Sequence, residues 1–401
     1  MNSWKIAWKN LLSNPLTAGL NILLIAFGVG IINLLLLASD QIGRKLDDNA
    51  KDIDLVVGAK GSPLQLILSS IFYVDFPTGN IPLKDADALA RNPMVKTAVP
   101  LALGDNYNGF RIAGTDSGFT SLYGLKLASG SFWKKDFEVT VGTGVAASQH
   151  LKIGDHFFGA HGLTGNGDIH KSHAYLVTGI LKPQGNVTDN LVLTNVSSVW
   201  RMHESPEAHT NTGQPEPYEN GQREITSLLI RYRSPMSVIL FPRMVNQSTS
   251  MQAASPALES ARLFSLIGIG VATLQWFAAL IIVISAISVF VSLYNSLKER
   301  KYDLAIMRTM GASRTRLFLI VISEGLCLTV TGAVAGIVLG HFALFLIGHY
   351  QDSTQAKLSG LSFLVQETYL LGVGSGIGLV AALLPAIQAY RTDISTLLAQ
   401  H

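Results

Sequence analysis

Charged residues are unevenly spread along the chain, and four long stretches are almost free of them. From Asn10 to Ser39 there is no Asp, Glu, Lys or Arg, and Leu16–Ala38 carries the run LNILLIAFGVGIINLLLLA. A second stretch, Leu263–Leu297, is equally uncharged around WFAALIIVISAISVFVSL; a third, Leu317–Gly348, is broken only by Glu324; a fourth runs from Thr368 to Tyr390. A helix rising about 1.5 Å per residue needs roughly 20 apolar residues to cross about 30 Å of hydrocarbon, with every backbone group bonded internally. Each stretch meets that length, and a buried core helix is rarely uncharged for so long. The pattern predicts spans at 16–39, 263–297, 317–348 and 368–390.

Between the first and second spans the pattern changes to short alternating or β-branched runs bounded by Gly, Asp, Asn and Pro. These predict strands at Ile53–Val57, Lys96–Pro100, Phe110–Gly114, Glu138–Gly142, Tyr175–Ile180, Asn190–Thr194 and Ser227–Tyr232. Helical patterns are fewer: Leu83–Arg91, and Pro235–Val245 with a kink expected at Pro242. Residues 40–262 therefore read as a mixed α+β domain inserted between helices 1 and 2. Gly159–Lys171 and Arg201–Gly221 read as loops, and Gln247–Ala261 as a helical stalk continuing the second span outward.

Composition agrees. The 401 residues are 48% apolar and only 14% charged, with a mean hydropathy of +0.33, against about a quarter charged in soluble domains. The net charge of +3 gives no basic excess for nucleic acid. The placement of Lys and Arg sets orientation, because they stay cytoplasmic. Lys5 and Lys9 precede the first span; Lys298, Arg300, Lys301, Arg308, Arg314 and Arg316 crowd segment 298–316; Arg391 follows the fourth span. The loop 349–367 has only Lys357, beside Asp352 and Glu367. Both the amphipathic segment 1–15 and the tail 391–401 are then cytoplasmic, and 40–262 is periplasmic. The first apolar run exceeds a signal peptide's usual 7–15 residues and no clear cleavage site follows, so an uncleaved anchor in the inner membrane is expected. With Cys327 alone, no intrachain disulfide can staple the outer domain.

Segment 298–316 carries the most specific pattern: Glu299-Arg300-Lys301-Tyr302-Asp303-Leu304-Ala305-Ile306-Met307-Arg308-Thr309-Met310-Gly311-Ala312-Ser313-Arg314, followed by Glu324 in the third span. Leu304, Ile306, Met307 and Met310 give this short charged segment an apolar face, Gly311-Ala312 a turn, and Ser313 a cap for the next helix. It resembles the ER-x-x-EI-x-x-x-RA-x-GAS signature of FtsX-like and MacB-like ABC transporter permeases, with Asp303-Leu304 in place of Glu-Ile and Thr309 in place of Ala. Pro385-Ala386, Ala389 and Arg391 extend the resemblance, although Ile394 replaces a common Pro. The runs DIDLVVGAKGS, VTVGTGVAASQHLKIGD and YLVTGILKPQG are similar to the MacB-type periplasmic core. Lipoprotein-releasing permeases share the topology.

The resemblance implies a transport subunit, not an enzyme, in which Glu299, Arg300, Asp303, Leu304, Arg308, Gly311, Ala312, Ser313 and Glu324 couple to a separate ABC ATPase. ATP and Mg would sit on that ATPase; no Walker A sequence occurs here, and Gly58-Ala59-Lys60-Gly61-Ser62 has the wrong spacing. Neither G-x-S-x-G nor H-E-x-x-H occurs, so no hydrolase constellation emerges. The resemblance further implies a homodimer of permeases, mechanical transmission through Ile22–Asp40 and Gln247–Leu274, and a periplasmic adaptor, lipoprotein or substrate engaging residues 41–250. The alternative within the family is an FtsX-like signalling module that controls a periplasmic partner.

Three further features carry expectations. Gly332, Gly336 and Gly340 in the third span, and Gly372/Gly376 and Gly374/Gly378 in the fourth, suit close helix packing, where lipid gives no hydrophobic drive. Glu324 and His341 read as bonded groups rather than proton relays. Seven histidines fall in the outer domain, at 150, 156, 161, 170, 173, 203 and 209. Neutral imidazoles ligate zinc, and His161, His170, His173 and His203 are the candidate set, which would make this a metal-linked transporter; polar surface loops are the plainer reading.

Overall fold

The computed structural model describes residues 3–162, 173–203, 223–350 and 358–391. The chain divides into two units, one formed by the described parts of Met1–Ile42, Leu266–Gln351 and Lys357–His401, the other by those of Gly43–Ser265. In chain order the helices are α1 (Ser3–Ser13), α2 (Pro15–Asn49), α3 (Pro63–Ser70), α4 (Leu83–Ala90), α5 (Ser117–Leu122), α6 (Thr143–Gln149), α7 (Val196–His203), α8 (Ser237–Ser248), α9 (Pro256–Glu299), α10 (Lys301–Thr309), α11 (Arg314–Tyr350) and α12 (Glu367–Arg391). The strands are β1 (Leu55–Ala59), β2 (Ile81–Pro82), β3 (Val95–Tyr107), β4 (Phe110–Thr115), β5 (Leu127–Gly130), β6 (Glu138–Val141), β7 (His156–Phe157), β8 (Ala160–His161), β9 (Tyr175–Leu181), β10 (Val192–Asn195), β11 (Glu224–Ile225), β12 (Ser227–Tyr232) and β13 (Met251–Ala254).

Among the described residues four helices, α2, α9, α11 and α12, are long and apolar enough to cross a membrane. Their contacts fix their directions. An ideal Cβ at Gly332 would lie 2.8 Å from Ile25 Cβ, one at Gly336 2.8 Å from the Ala26 carbonyl oxygen, and one at Gly340 3.0 Å from Asn33 Cβ, so α11 runs parallel to α2. Ser288 Oγ donates to Asn21 Oδ1 at 2.7 Å, while Gly28 faces Ile282, which makes α9 antiparallel to α2. Gly325 opposite Gly378 and Ala333 opposite Gly374 make α12 antiparallel to α11. Directions thus alternate along the chain, as four successive crossings require, and the start of α2 and the end of α12 lie at the same end of this unit. Ile25, Val29, Val289, Leu293, Leu328 and Ala382 form its core.

The second unit is built on a mixed sheet of strand order β13-β1-β12-β3-β4-β10-β6-β9-β5, with β7 on β9 and β8 on β3. The strands β10 and β4, and β6 and β9, pair in parallel; the other pairs are antiparallel. The thirteen-residue β3 serves both halves, pairing β12 through Leu101 and β4 from Ala102, with a register shift between Leu103 and Asn106. Two cores result. One gathers Leu55, Val57, Leu228, Ile230, Phe241 and Val245, the other Ile112, Val139, Val141, Tyr175, Val177 and Val192.

All seven expected strands are present within a few residues. The stalk differs from expectation. Gln247–Ala254 is not helical throughout: α8 ends at Ser248, Met251–Ala254 is β13 paired with β1, and the long helix starts only at Pro256. Residues 249–254 lack the charge of a solvated helix, and residues 251–254 pair with a neighbouring strand instead. On the other side α2 continues to Asn49, beyond the expected Asp40. The expected loop 159–171 begins with β8, and Val196–His203 forms α7, which takes the first residues of the expected loop 201–221. The remainder of both expected loops lies largely outside the described residues.

Candidate functional site

The segment between α9 and α11 folds as a short helix anchored on one side. Arg300 precedes α10 and donates through Nη2 to the Asn10 carbonyl at 3.1 Å and to Ser13 Oγ, so α1 holds the entrance to the segment. Asp303 lies in the first turn of α10, where a carboxylate suits the helix dipole, and Glu299 is the exposed last residue of α9. Leu304 and Ala305 are buried, Leu304 packing with Leu297, Leu317, Val321, Ala386 and Ala389 from α9, α11 and α12. The exit is a tight turn. Gly311 sits at φ +93°, a conformation that L side chains rarely adopt. Arg308 Nη1 donates to the Ala312 carbonyl at 3.0 Å, and Ser313 Oγ accepts the Arg316 N–H at 3.2 Å as the cap of α11.

The opposite face of α10 is largely exposed. Tyr302, Ile306 and Met310 recur every four residues and are 54%, 39% and 82% exposed, so they line one side of the helix. Glu324, by contrast, is 93% buried in α11 (7% exposed). It lies close to Asn10 and in the field of Arg300. A cavity of about 190 Å³ beside it is lined by Asn10, Asn14, Ser292, Asn295, Glu299 and other residues. The involvement of Asn10 and Ser13 was not legible in sequence, because neither belongs to a charged or periodic pattern.

The candidate packing glycines separate into two groups. Gly332, Gly336 and Gly340 meet α2 at distances that leave no room for a side chain. Gly372 and Gly376 differ: among the described residues nothing lies within 4 Å of a Cβ built on either. Their neighbours Gly374 and Gly378, one helix face away, make the α11 contact instead. Two interleaved four-residue spacings cannot both face one partner, and nothing in the residue pattern favours either.

Of the four candidate metal-ligating histidines, the side chains of two, His161 and His173, are described, and they have different partners. His161 Nδ1 lies 3.3 Å from the buried Asp105 Oδ1, whereas the His173 ring stacks on Phe137 with centroids 4.5 Å apart. His203 ends α7, and His170 lies outside the described residues. Among the described residues no three His, Cys, Asp or Glu side chains form a group able to hold a metal. What surrounds His161 is a polar clamp. Arg111 donates to the Gly162 carbonyl at 3.3 Å and the Asp75 carbonyl at 3.0 Å, and Asn106 Nδ2 reaches the carbonyls of Ala160 and Gly162, both at 3.1 Å. Burial pulls the Arg111 guanidinium down to about 10, opposed by Asp105 and Asp75. The Tyr175 phenol is raised by burial and, secondarily, by Asp105.

Four apolar helices of alternating direction, an α/β unit spliced between the first and second, and a short tethered helix between the second and third define a polytopic membrane protein of permease type. The model of the MacB-like periplasmic core domain matches residues 18–239, and that of the FtsX-like permease C-terminal region matches residues 276–392. The chain belongs to the FtsX/MacB-like family of ABC transporter permeases. Among solved structures, the periplasmic region of MacB from Actinobacillus actinomycetemcomitans is similar at 11% identity, with a TM-score of 0.33 over 55% of this chain and 97% of that one. The extracellular domain of the noncanonic ABC-type transporter YknZ from Gram-positive bacteria is similar at 13% identity, with a TM-score of 0.31 over 51% and 99%. A search of curated proteins gives no match.

Proposed function

We propose that this chain is the membrane subunit of an ABC transporter whose separate ATPase docks on α10. Motion driven by ATP then passes along α9 and α2 to the α/β unit, which engages a substrate or adaptor for export or for extraction from the membrane. A pair of permease chains would serve one pair of ATPases.

The observation that carries this reading is the two-sidedness of α10. Leu304 and Ala305 clamp it to the helix bundle, while Tyr302, Ile306 and Met310 present an apolar stripe on its other side. A helix held this firmly moves with the bundle, so a push on its outer face is not dissipated locally. An apolar stripe on a short helix fits a groove of a partner.

Burying each apolar side chain in such a groove is worth about 1.5–3 kcal/mol. The double variant Ile306→Asp with Met310→Asp is therefore expected to weaken ATPase binding by at least ~10-fold, measured by copurification and by ATPase activity in nanodiscs, with the helix content of the chain unchanged. Unaltered binding and activity would sink the proposal.

A further inference from the structure

At the other end of the membrane unit, α11 and α12 are joined through a corner held by an ionisable pair. His341 on α11 has both ring nitrogens engaged: Nδ1 lies 2.8 Å from the Gly360 carbonyl oxygen and Nε2 lies 2.7 Å from Glu367 Oε2. Glu367, the first residue of α12, is 0% exposed, and its Oε1 accepts the Leu364 N–H at 2.7 Å. The imidazole also stacks on Phe363, with ring planes 5° apart.

Donor and acceptor counting constrains the protons. A carbonyl oxygen only accepts, so Nδ1 must carry a hydrogen. Nε2 of a neutral ring would then present a lone pair to a carboxylate that has only lone pairs to offer. Two acceptors at 2.7 Å in a buried corner repel. The contact is a hydrogen bond only if one more proton is present, either on Nε2 of an imidazolium or on Oε2 of a carboxylic acid. Both descriptions have the same atoms and the same net charge of zero, which also suits an apolar setting.

The same corner is tied to α2. Gln41 Nε2 donates to the Ser359 carbonyl and to Ser362 Oγ, each at 2.7 Å, and Gln41 Oε1 accepts the Ser359 N–H at 2.7 Å. Adjacent residues of one loop, Ser359 and Gly360, are thus fastened to α2 and α11 respectively. Leu37, Leu344 and Leu364 pack at this corner as a small apolar cluster. Along the same helices, the described ionisable residues nearest in sequence to these contacts are Asp40 and Arg44 on α2, His349 and Tyr350 on α11, and Tyr369 on α12.

We propose that His341 and Glu367 form a proton-binding site that holds a single proton and with it fastens the 358–366 loop across α2, α11 and α12. Loss of that proton leaves a carboxylate facing the imidazole lone pair, breaks the 2.7 Å contact and frees the loop from α11. The attachment of α2 to this corner then depends on pH. Since α2 runs on to Asn49, the site bears on the helix that leads out of the membrane unit.

Hydrogen exchange of the full chain in nanodiscs, corrected for the intrinsic pH dependence of exchange, tests this. In the wild-type chain the amides of 358–366 are expected to stay protected at low pH and to lose at least ~10-fold in protection as the pH is raised across the range in which the chain stays folded. Glu367→Gln replaces the shared proton by an amide N–H while leaving an oxygen for Leu364, so its protection should stay high across the whole range. His341→Ala should lose protection at every pH. A flat wild-type profile, or a Glu367→Gln chain that follows a falling wild-type profile, would overturn the proposal, and the Glu367→Gln comparison holds even where His341→Ala fails to fold.

Discussion

Glu138 illustrates how single residues of the outer unit carry defined electrostatic roles. Its Oε2 accepts the backbone N–H groups of Lys134 at 2.8 Å and Lys135 at 3.0 Å, and these bonds hold the carboxyl below the usual glutamate range. A lowered folded value contributes stability that is fully present above the unfolded value of about 4.3 and is lost as pH falls through the lower folded one. Glu138→Gln is therefore expected to melt slightly below wild type at pH 6, by roughly a few tenths of a kcal/mol because the group is solvated, with the gap closing as the pH is lowered toward about 3. Thermal melts of both chains across that range check the sign. None of this is visible in sequence, where Glu138 is one of two acids that follow two lysines. Ser313 is the contrasting case, since a Ser before a basic helical run announces a cap, and its Oγ does accept the Arg316 N–H.

At the scale of elements, the close approaches between membrane helices decide which glycines matter. Gly336 meets the Ala26 carbonyl oxygen and Val29 Cβ, each 2.8 Å from where a methyl would stand, and neither backbone can withdraw without parting α2 from α11. Gly336→Val is expected to destabilise the membrane unit by about 1–3 kcal/mol, whereas Gly376→Val on α12 meets open space within the chain and should cost much less. Thermal stability of the two variants in one detergent tests the contrast, and equal losses would refute it. Hydrophobic pattern made the existence of each membrane helix plain, because lipid demands an unbroken apolar run. It left helix faces open, because an all-apolar helix has no amphipathic period to mark its inner side. The start of α9 was misplaced for a related reason: Met251–Ala254 is short and apolar, and only pairing with β1 makes it a strand.

For the whole molecule the alternating helix directions have a consequence for sidedness. An even number of crossings puts the start of α2 and the end of α12 on one side of a membrane, and the basic residues around α10 lead us to expect the cytoplasmic side. The single cysteine, Cys327, is buried, so introduced cysteines can report position cleanly. Lys182→Cys, at an exposed site just after β9, should react with a membrane-impermeant maleimide on intact cells, and Arg314→Cys at the start of α11 only after permeabilisation. The reverse pattern would invert the topology and remove α10 from the reach of any cytoplasmic ATPase.

The sequence by itself determined what depends on local composition: four apolar spans, an α/β insertion of short strands between the first two, and a basic turn-bounded segment whose pattern marks the family. Those features follow from the cost of charge in hydrocarbon and the geometry of single elements, so neighbouring residues suffice to express them. Only the tertiary structure decided which of two glycine spacings packs, that Asn10 and Ser13 brace Arg300, that the candidate histidines His161 and His173 have separate partners, and that His341 meets Glu367 across 26 positions. Each of these joins residues far apart in the chain, and such pairs acquire their energy only when folding brings them within hydrogen-bond or van der Waals reach.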